Sequence, residues 1–178
     1  MLAAPTLVRL GDDPDPLHDR ARTFCLSVIK EFYSFDYRPD WHADLDSLLR
    51  PAAESQYSAI NRGAFWIVTD PETGDIVATA AIKGMGWKPA LCEALADRYP
   101  QIQQIGSVWR VYVKKDLRGR GLGRGLNAVM ESEARALGYD RLYLHATDDA
   151  TATLRHWRAS GYAPFAHFGE SVHFDKAI

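Results

Sequence analysis

Between Asp116 and Leu126 the chain reads DLRGRGLGRGL, in which glycine alternates with arginine or leucine. The arginines are Arg118, Arg120 and Arg124, and an apolar segment with helical periodicity follows directly. A helix N-terminus presents unpaired N–H groups and about half a positive charge, and glycines let several N–H groups converge on one ligand. The stretch therefore predicts an anion site, most simply for a phosphate or pyrophosphate group.

Two common phosphate-loop patterns do not fit this stretch. The P-loop pattern requires a lysine and then serine or threonine after the last glycine, whereas arginine and glycine follow Gly123. The dinucleotide pattern requires glycine or alanine at its sixth position, which is Arg124 counted from Gly119 and Leu126 counted from Gly121. A disordered arginine–glycine segment that binds RNA would lie in low-complexity sequence, whereas this stretch lies between a predicted strand and a periodic helix. A plain solvated turn is also disfavoured, because so many glycines cost conformational entropy without a gain.

The elements that must position this loop can be predicted from periodicity and turn signals. Strands are predicted at 6–10, 63–70, 76–83, 107–115 and 141–147, and in the final segments YAPFAHF and SVHF. Helices are predicted at 17–33, from about Asp44, at 90–99, from Leu122 to Leu137, and from a cap at Asp148 or Asp149 to Gly161. This order predicts an α/β fold in which a mixed sheet carries helices on its faces.

Length, charge and cysteine content narrow the classes of function. The 178 residues predict one domain over 1–178, and a formal net charge of −2 gives no reason to expect nucleic acid as a partner. Cys25 and Cys92 form no disulfide framework, and no His/Cys/Asp/Glu spacing suggests a metal site. No signal peptide and no spanning apolar run is evident, so the expected location is the cytoplasm and no membrane partner is expected.

Three segments together resemble the GCN5-related N-acetyltransferases, the GNAT family. The Arg-x-x-Gly-x-Gly spacing of Arg118, Gly121 and Gly123, directly after VYV and KKDL, is similar to the family's pyrophosphate-binding signature. The segment ATATLRHWRASGYAPF at 150–165 resembles its second motif, and GAFWIVTDPETGDIVATAAI at 63–82 resembles its preceding hairpin. The resemblance implies an acyl-CoA N-acyltransferase fold: a mixed, mostly antiparallel sheet of about seven strands, two central strands that splay apart, and helices on both faces.

The resemblance also implies acetyl-CoA as the co-substrate and gives positions for its binding. The strand that carries Val111 and Val113 would splay from its neighbour and offer free backbone N–H and C=O groups to the pantetheine arm. One such N–H can polarise the thioester carbonyl. Trp157 is expected beside the same arm. The loop positions carried over are Arg118, Gly119, Arg120, Gly121, Leu122, Gly123 and Arg124.

The sequence departs from the family pattern at three positions that often carry chemistry. Ser107 aligns with a glutamate that often serves as base, Ala150 with an asparagine that contacts pantetheine, and Trp157 with a tyrosine that protonates the leaving thiolate. The general base and the general acid are therefore left open, with Tyr162 and Tyr143 as further candidates for the acid.

Two side chains are candidates for the catalytic base, Glu31 first and His145 second. Glu31 belongs to a set of acidic residues around the first two predicted helices, which predicts an acidic vestibule that attracts a protonated amine. The set comprises Glu31, Asp36, Asp40, Asp44 and Asp46.

These observations predict an acyl-CoA-dependent N-acyltransferase that moves acetyl from acetyl-CoA to a primary amine by direct attack in a ternary complex. The alternative is a coenzyme-A-binding protein of the same fold with regulatory or vestigial activity. The acceptor is expected to be a small-molecule or peptide amine, and a dimer is compatible with the sequence. The insert at 84–107 has the composition of a mobile cover over a ligand, and ordinary packing is an equal alternative.

Overall fold

A computed structural model describes residues 4–178, which form five α-helices around a seven-stranded sheet. The strands are β1 (Thr6–Arg9), β2 (Ala64–Thr69), β3 (Ile76–Gly84), β4 (Ile105–Val113), β5 (Arg141–Thr147), β6 (Ala163–Phe168) and β7 (Ser171–Ala177). The helices are α1 (Pro16–Tyr33), α2 (Pro39–Ser47), α3 (Pro89–Ala94), α4 (Leu122–Ala136) and α5 (Thr151–Ala159).

The strand order is β1-β2-β3-β4-β5-β7-β6, and every neighbouring pair is antiparallel except β4 and β5. This arrangement confirms the predicted mixed, mostly antiparallel sheet. α4 and α5 cover one face, where Met130 and Leu142 are fully buried. α1 and α2 cover the other face around Leu45 and Ile67, and the segment between β3 and β4 closes the rest of that face over Tyr143.

Three helices differ from the sequence prediction at one end. α2 begins at Pro39 rather than near Asp44, because proline is favoured in the first turn, where its missing N–H costs nothing. α3 ends at Ala94, five residues before the predicted end at 99. α5 has Ala150 at its N-cap with no side-chain cap, so the predicted capping by Asp148 or Asp149 is wrong.

The two central strands splay apart, as the family resemblance implied. β4 pairs with β5 only through Ile105–Ser107 against Arg141–Tyr143, and no pairing continues beyond Ser107. On the other edge of β4, Trp109 pairs with Ala81 and Tyr112 with Thr79. Two residues of β4 therefore oppose one residue of β3, which is a β-bulge.

Arg110 lies in this bulge with φ +49°, a left-handed conformation that is uncommon for a residue other than glycine. The Oγ1 of Thr79 donates a hydrogen bond of 2.8 Å to the Arg110 carbonyl and holds the bulge from the β3 side. Because a bulge bends its strand, this local conformation turns the end of β4 away from β5. Across residues 4–178, no helix has the length and apolar content needed to cross a membrane.

Candidate functional site

The separation of β4 from β5 opens a cleft of about 200 Å³ at the centre of the sheet. Both strands, the end of α1 and one side of α5 supply its walls. The lining residues are Tyr33, Val108, Trp109, Arg110, Val111, Tyr112, Leu144, His145, Ala146, Thr153 and Trp157. None of them is acidic, and four are aromatic residues other than histidine.

The bulge that shapes this cleft is anchored by a buried ion pair. Arg110 donates to both carboxylate oxygens of Asp44, with Nε–Oδ2 at 2.8 Å and Nη2–Oδ1 at 2.6 Å. The Tyr57 hydroxyl donates to Oδ2 of the same carboxylate at 2.5 Å. Burial alone would raise the pKa of Asp44, but the Arg110 guanidinium outweighs burial and lowers this pKa to about 2. Asp44 is therefore charged at neutral pH and compensates the charge of Arg110.

The backbone of β4 presents polar groups to the cleft beyond the bulge. The N–H of Lys114 donates to the Val77 carbonyl of β3 at 2.9 Å. Backbone groups alternate in direction along a strand, so those of Val113 and Val111 point to the opposite edge, away from β3 and toward the cleft. Both residues therefore lie where the family resemblance implied, and their contact with a pantetheine arm stays a prediction.

The glycine–arginine loop leads from β4 to α4, and Gly121 is the N-cap of that helix with φ +90°. The six consecutive N–H groups from Gly119 to Arg124 donate no hydrogen bond to any backbone or side-chain acceptor within residues 4–178. The next N–H, that of Gly125, starts the helical pattern by donating to the Gly121 carbonyl at 3.0 Å. A Cβ added at Gly121 would meet no protein atom within 4 Å, so the space above the loop is open.

The arginines near the loop have different roles. Arg120 and Arg124 are exposed, and neither forms an ion pair within the part of the chain that the structure describes. Arg118 turns back toward the cleft: its Nε donates to the Val113 carbonyl at 3.0 Å, and its guanidinium lies 4.4 Å from the Phe32 ring centroid. Arg110 of β4, a few residues before the loop, is neutralised by Asp44 on the face that α2 covers.

A chain of hydrogen bonds orients His145 within the cleft. The Tyr143 hydroxyl lies 2.7 Å from Nδ1 of His173 and 3.3 Å from Nδ1 of His145. A phenol has one proton, and the shorter distance favours its donation to His173. The hydroxyl then accepts from Nδ1–H of His145, which leaves Nε2 of His145 as an unprotonated acceptor.

His145 is neutral at neutral pH. Its ring is open to the cleft while the protein surrounds its other sides. This loss of water, followed by the neighbouring His173 and the charge of Lys88, lowers the pKa of His145 well below its ordinary value. Burial also lowers the pKa of His173. His145 therefore offers a nitrogen lone pair to the cleft rather than a positive charge.

Two tryptophans flank the cleft. Trp157 of α5 is buried against Tyr162, with ring centroids 5.2 Å apart, and lines the cleft. Its packing beside a pantetheine arm stays a prediction. Trp109 of β4 donates from Nε1 to the Ser107 hydroxyl at 2.8 Å. Ser107 stands at the position where the family often carries a glutamate, and the Ser107 hydroxyl accepts this hydrogen bond from the indole.

The predicted acidic vestibule is not formed at the cleft. Asp44 is buried in its ion pair, and Asp46 is bonded to Arg22 and to the Tyr37 hydroxyl. Asp36 pairs with Lys30 at 2.8 Å, on the outer surface. Glu31 and Asp40 are exposed, and neither lines the cleft. Of the two candidate bases, the structure brings His145 into the cleft and leaves Glu31 outside its walls.

Sequence reasoning missed a buried lysine behind Trp109. Lys83 of β3 is 1% exposed, and its ammonium donates to Oε1 of Gln56 at 2.6 Å and lies 3.9 Å from the Trp109 ring centroid. Burial lowers the pKa of Lys83 to about 7. The only sequence signal was a lysine at the end of an otherwise apolar strand, IVATAAIK, where alternation gives no reason to expect burial.

A second cavity of about 290 Å³ lies between α4 and α5 and is lined by Arg124 among others. Its other two charged residues bind each other, because Lys176 donates to Glu131 at 2.6 Å. We assign no chemistry to it. Among residues 4–178, no three His, Cys, Asp or Glu side chains are placed to hold a metal ion.

Comparisons with known proteins agree with the fold. The family model described as "Acetyltransferase (GNAT) family" matches residues 26–162. A GNAT-family acetyltransferase from Staphylococcus aureus Mu50 superposes with a TM-score of 0.73 at 14% identity, covering 98% of this chain and 99% of that one. An acetyltransferase from Streptococcus agalactiae 2603 gives a TM-score of 0.69 at 14% identity, covering 97% of this chain and 98% of that one.

A third similar structure contains a bound ligand. The PaiA N-acetyltransferase from Thermoplasma acidophilum, determined in complex with coenzyme A, superposes with a TM-score of 0.68 at 11% identity. The alignment covers 99% of this chain and all of that one. At these identities the likeness establishes the fold. A search of curated protein sequences finds no match.

Proposed function

The chain belongs to the GNAT family of acetyltransferases, and we propose that it transfers an acetyl group from acetyl-CoA to a primary amine. The observation that carries this proposal is the run of six unbonded N–H groups from Gly119 to Arg124, in the loop that joins α4 to β4, a strand that lines the open cleft. A helix N-terminus of this kind favours a pyrophosphate, and the cleft is narrow and apolar enough for a pantetheine arm.

The residues present fit acetyl-CoA as the donor substrate. Gly119 to Arg124 would hold the pyrophosphate, with Arg120 and Arg124 supplying charge. The backbone groups of Val111 and the N–H of Val113 would pair with the amide groups of the pantetheine arm, and Trp157 would pack beside it. The Val113 carbonyl already accepts from Arg118. Bound there, acetyl-CoA supplies an activated acyl group as a thioester.

The cleft also offers the groups that direct attack by an amine requires. An N–H of β4 past the bulge can stabilise the negative charge that develops on the carbonyl oxygen during attack. His145 accepts a proton from the attacking nitrogen at Nε2, directly or through one water, because its Nδ1 is bonded to Tyr143. No side chain in the cleft is placed as a covalent nucleophile, which favours a ternary complex.

Replacing His145 tests its assignment as the base. We expect His145→Asn to lower kcat/KM for the best amine by about a hundredfold, the usual contribution of a positioned base. The matched control is Glu31→Gln, for which we expect a change below about threefold because that side chain is exposed outside the cleft. Steady-state kinetics with both variants measures this, and a larger loss in the Glu31 variant would reverse the assignment.

The pH dependence tests how the thiolate leaves. An indole N–H does not ionise usefully, so Trp157 cannot replace a phenol as acid, but a thiolate with a pKa near 8.5 is a tolerable leaving group. We expect kcat/KM to rise as the amine loses its proton and not to fall at about pH 9–10, where a catalytic tyrosine would lose its proton. Since the pKa of His145 is lowered, its protonation adds no acidic limb near neutral pH.

Two variants complete this pH experiment. Trp157→Phe is expected to keep most of the activity, and Trp157→Tyr to equal or exceed the wild type. A clear alkaline fall in the wild-type profile would mean that another acid acts. Burial raises the pKa of Tyr143 and of Tyr162 well above the usual range of a tyrosine, so a fall at about pH 9–10 would assign the acid to a group other than these two tyrosines.

The function itself is tested by a turnover screen with acetyl-CoA over a panel of amines, following release of the free thiol. Tight acetyl-CoA binding without turnover of any amine would instead support the alternative, a coenzyme-A-binding protein with a regulatory or vestigial role. The specific observation that favours this alternative is the loss of the usual chemical residues at Ser107 and Trp157. A cytoplasmic location stays a prediction from the sequence.

A further inference from the structure

The side-chain nitrogens of two lysines lie close to the indole of Trp109, which lines the cleft together with His145. The Lys83 ammonium lies 3.9 Å and the Lys88 ammonium 4.9 Å from the Trp109 ring centroid. The His145 ring centroid lies 6.3 Å from that same ring. Lys88 is close enough to His145 to lower its pKa. The Lys88 ammonium and the proposed base therefore flank one side chain.

The two lysines differ in whether they are already satisfied. Lys83 is buried and donates to Gln56 at 2.6 Å. Lys88 is half-buried at the start of α3, and within the described chain its ammonium has no hydrogen bond and no carboxylate within 4.0 Å. An ammonium without a protein acceptor can gain a charge-assisted hydrogen bond from an anion that a ligand brings to it.

The two buried carboxylates on this face of the sheet, Asp44 and Asp175, do not compensate Lys88, because other groups already bind them. Asp44 is bonded to Arg110 and Tyr57. Asp175 accepts from Arg98 at 2.8 Å, and also from Tyr99 and Arg141. Neither buried carboxylate is therefore free to bind a second ammonium group, which disfavours a di- or polycationic amine.

We propose that the acceptor carries a carboxylate beside its amine, and that Lys88 binds this carboxylate while the amine faces His145. This inference rests on the proposed function and names the acceptor class for the same site. A carboxylate fits better than a phosphate, because Lys88 is a single point charge and the guanidinium of Arg110 is already occupied by Asp44. The rings of Tyr33 and Trp109 on the cleft walls favour an apolar or aromatic group on the acceptor.

The test compares amino acids with the amines that lack only the carboxylate. The pairs are phenylalanine with phenethylamine, tryptophan with tryptamine, and leucine with isopentylamine. In at least one pair we expect the wild type to favour the amino acid by about tenfold or more in kcat/KM. Equal or better use of the plain amine in all three pairs would overturn the proposal.

Charge reversal at Lys88 separates recognition from a general loss of activity. We expect Lys88→Glu to lower kcat/KM for the amino acid about tenfold or more and to raise it for the plain amine, whereas Lys88→Arg keeps the wild-type order. Unchanged acetyl-CoA affinity and melting temperature in both variants show that donor binding and fold are intact. An equal loss of kcat/KM for the amino acid and for its plain amine would mean that Lys88 does not bind the carboxylate.

Calorimetry separates a failure of this inference from a failure of the proposed function. Each amine is titrated into the full-length protein saturated with coenzyme A, with wild type and Lys88→Glu in parallel. If no amine is turned over but the amino acids still bind through Lys88, the acetyltransferase proposal fails and this one stands. If amines are turned over and neither kinetics nor titration depends on the carboxylate, this one fails alone.

Discussion

Gly121→Val is expected to weaken acetyl-CoA binding by at least about tenfold, a loss of roughly 1.4 kcal/mol. Gly121 is the N-cap of α4, at the middle of the six unbonded N–H groups. The space above it is empty of protein atoms, so a valine would project into the volume that the pyrophosphate must enter. Isothermal titration of the purified protein with acetyl-CoA measures the loss.

The matched control for backbone strain is Gly74→Val in the hairpin between β2 and β3. Gly74 also has a positive φ, +72° against +90° at Gly121, and a Cβ there also meets nothing within 4 Å. Both substitutions carry the cost of a branched residue in the left-handed region, of order 1–3 kcal/mol in stability. We expect both to lower the melting temperature and only Gly121→Val to lower the affinity. Wild-type affinity in Gly121→Val would exclude the loop as the pyrophosphate site.

The loop and the order of elements could be predicted because both depend on local sequence. Glycine at Gly121 and the periodicity that follows it specify a turn and a helix within a short window of the chain. The family resemblance gave Val111 and Val113 their backbone role toward the pantetheine arm, which stays a prediction. The resemblance then supplied the splay, which the pairing of β4 with β5 confirms.

The interior of the site could not be predicted, because it depends on contacts between distant residues. Asp44 and Arg110 are 66 residues apart. In the sequence each looks like a surface charge, and only the packing of α2 on β4 joins them. For the same reason Asp44 was assigned to an acidic vestibule, and the Tyr143 hydroxyl that orients His145 was considered only as an acid. Neither glycine nor proline stands at Arg110 or beside it, so no residue type in the sequence indicates the bulge.

Asp44→Asn is expected to have the largest effect on stability, a loss of about 3–5 kcal/mol in the free energy of unfolding. The substitution keeps the shape of the side chain but leaves the buried guanidinium of Arg110 without a compensating charge. The control is Asp46→Asn, two residues away, which removes a partly exposed pair with Arg22 and should cost about 1 kcal/mol or less. Urea unfolding followed by circular dichroism measures both.

The pH dependence of the Asp44→Asn effect identifies the charge as its cause. The pKa of Asp44 is about 2 in the folded chain, below the value of about 3.9 expected when unfolded. A lowered folded pKa stabilises the fold above the unfolded pKa, and that stability is lost as the pH falls through the folded pKa. The gap in unfolding free energy between wild type and Asp44→Asn should therefore be full at pH 6 and should narrow from about pH 4 toward pH 2. A gap that stays constant over this range would mean that the asparagine destabilises the protein by altered packing, and that the charge of Asp44 does not hold the bulge.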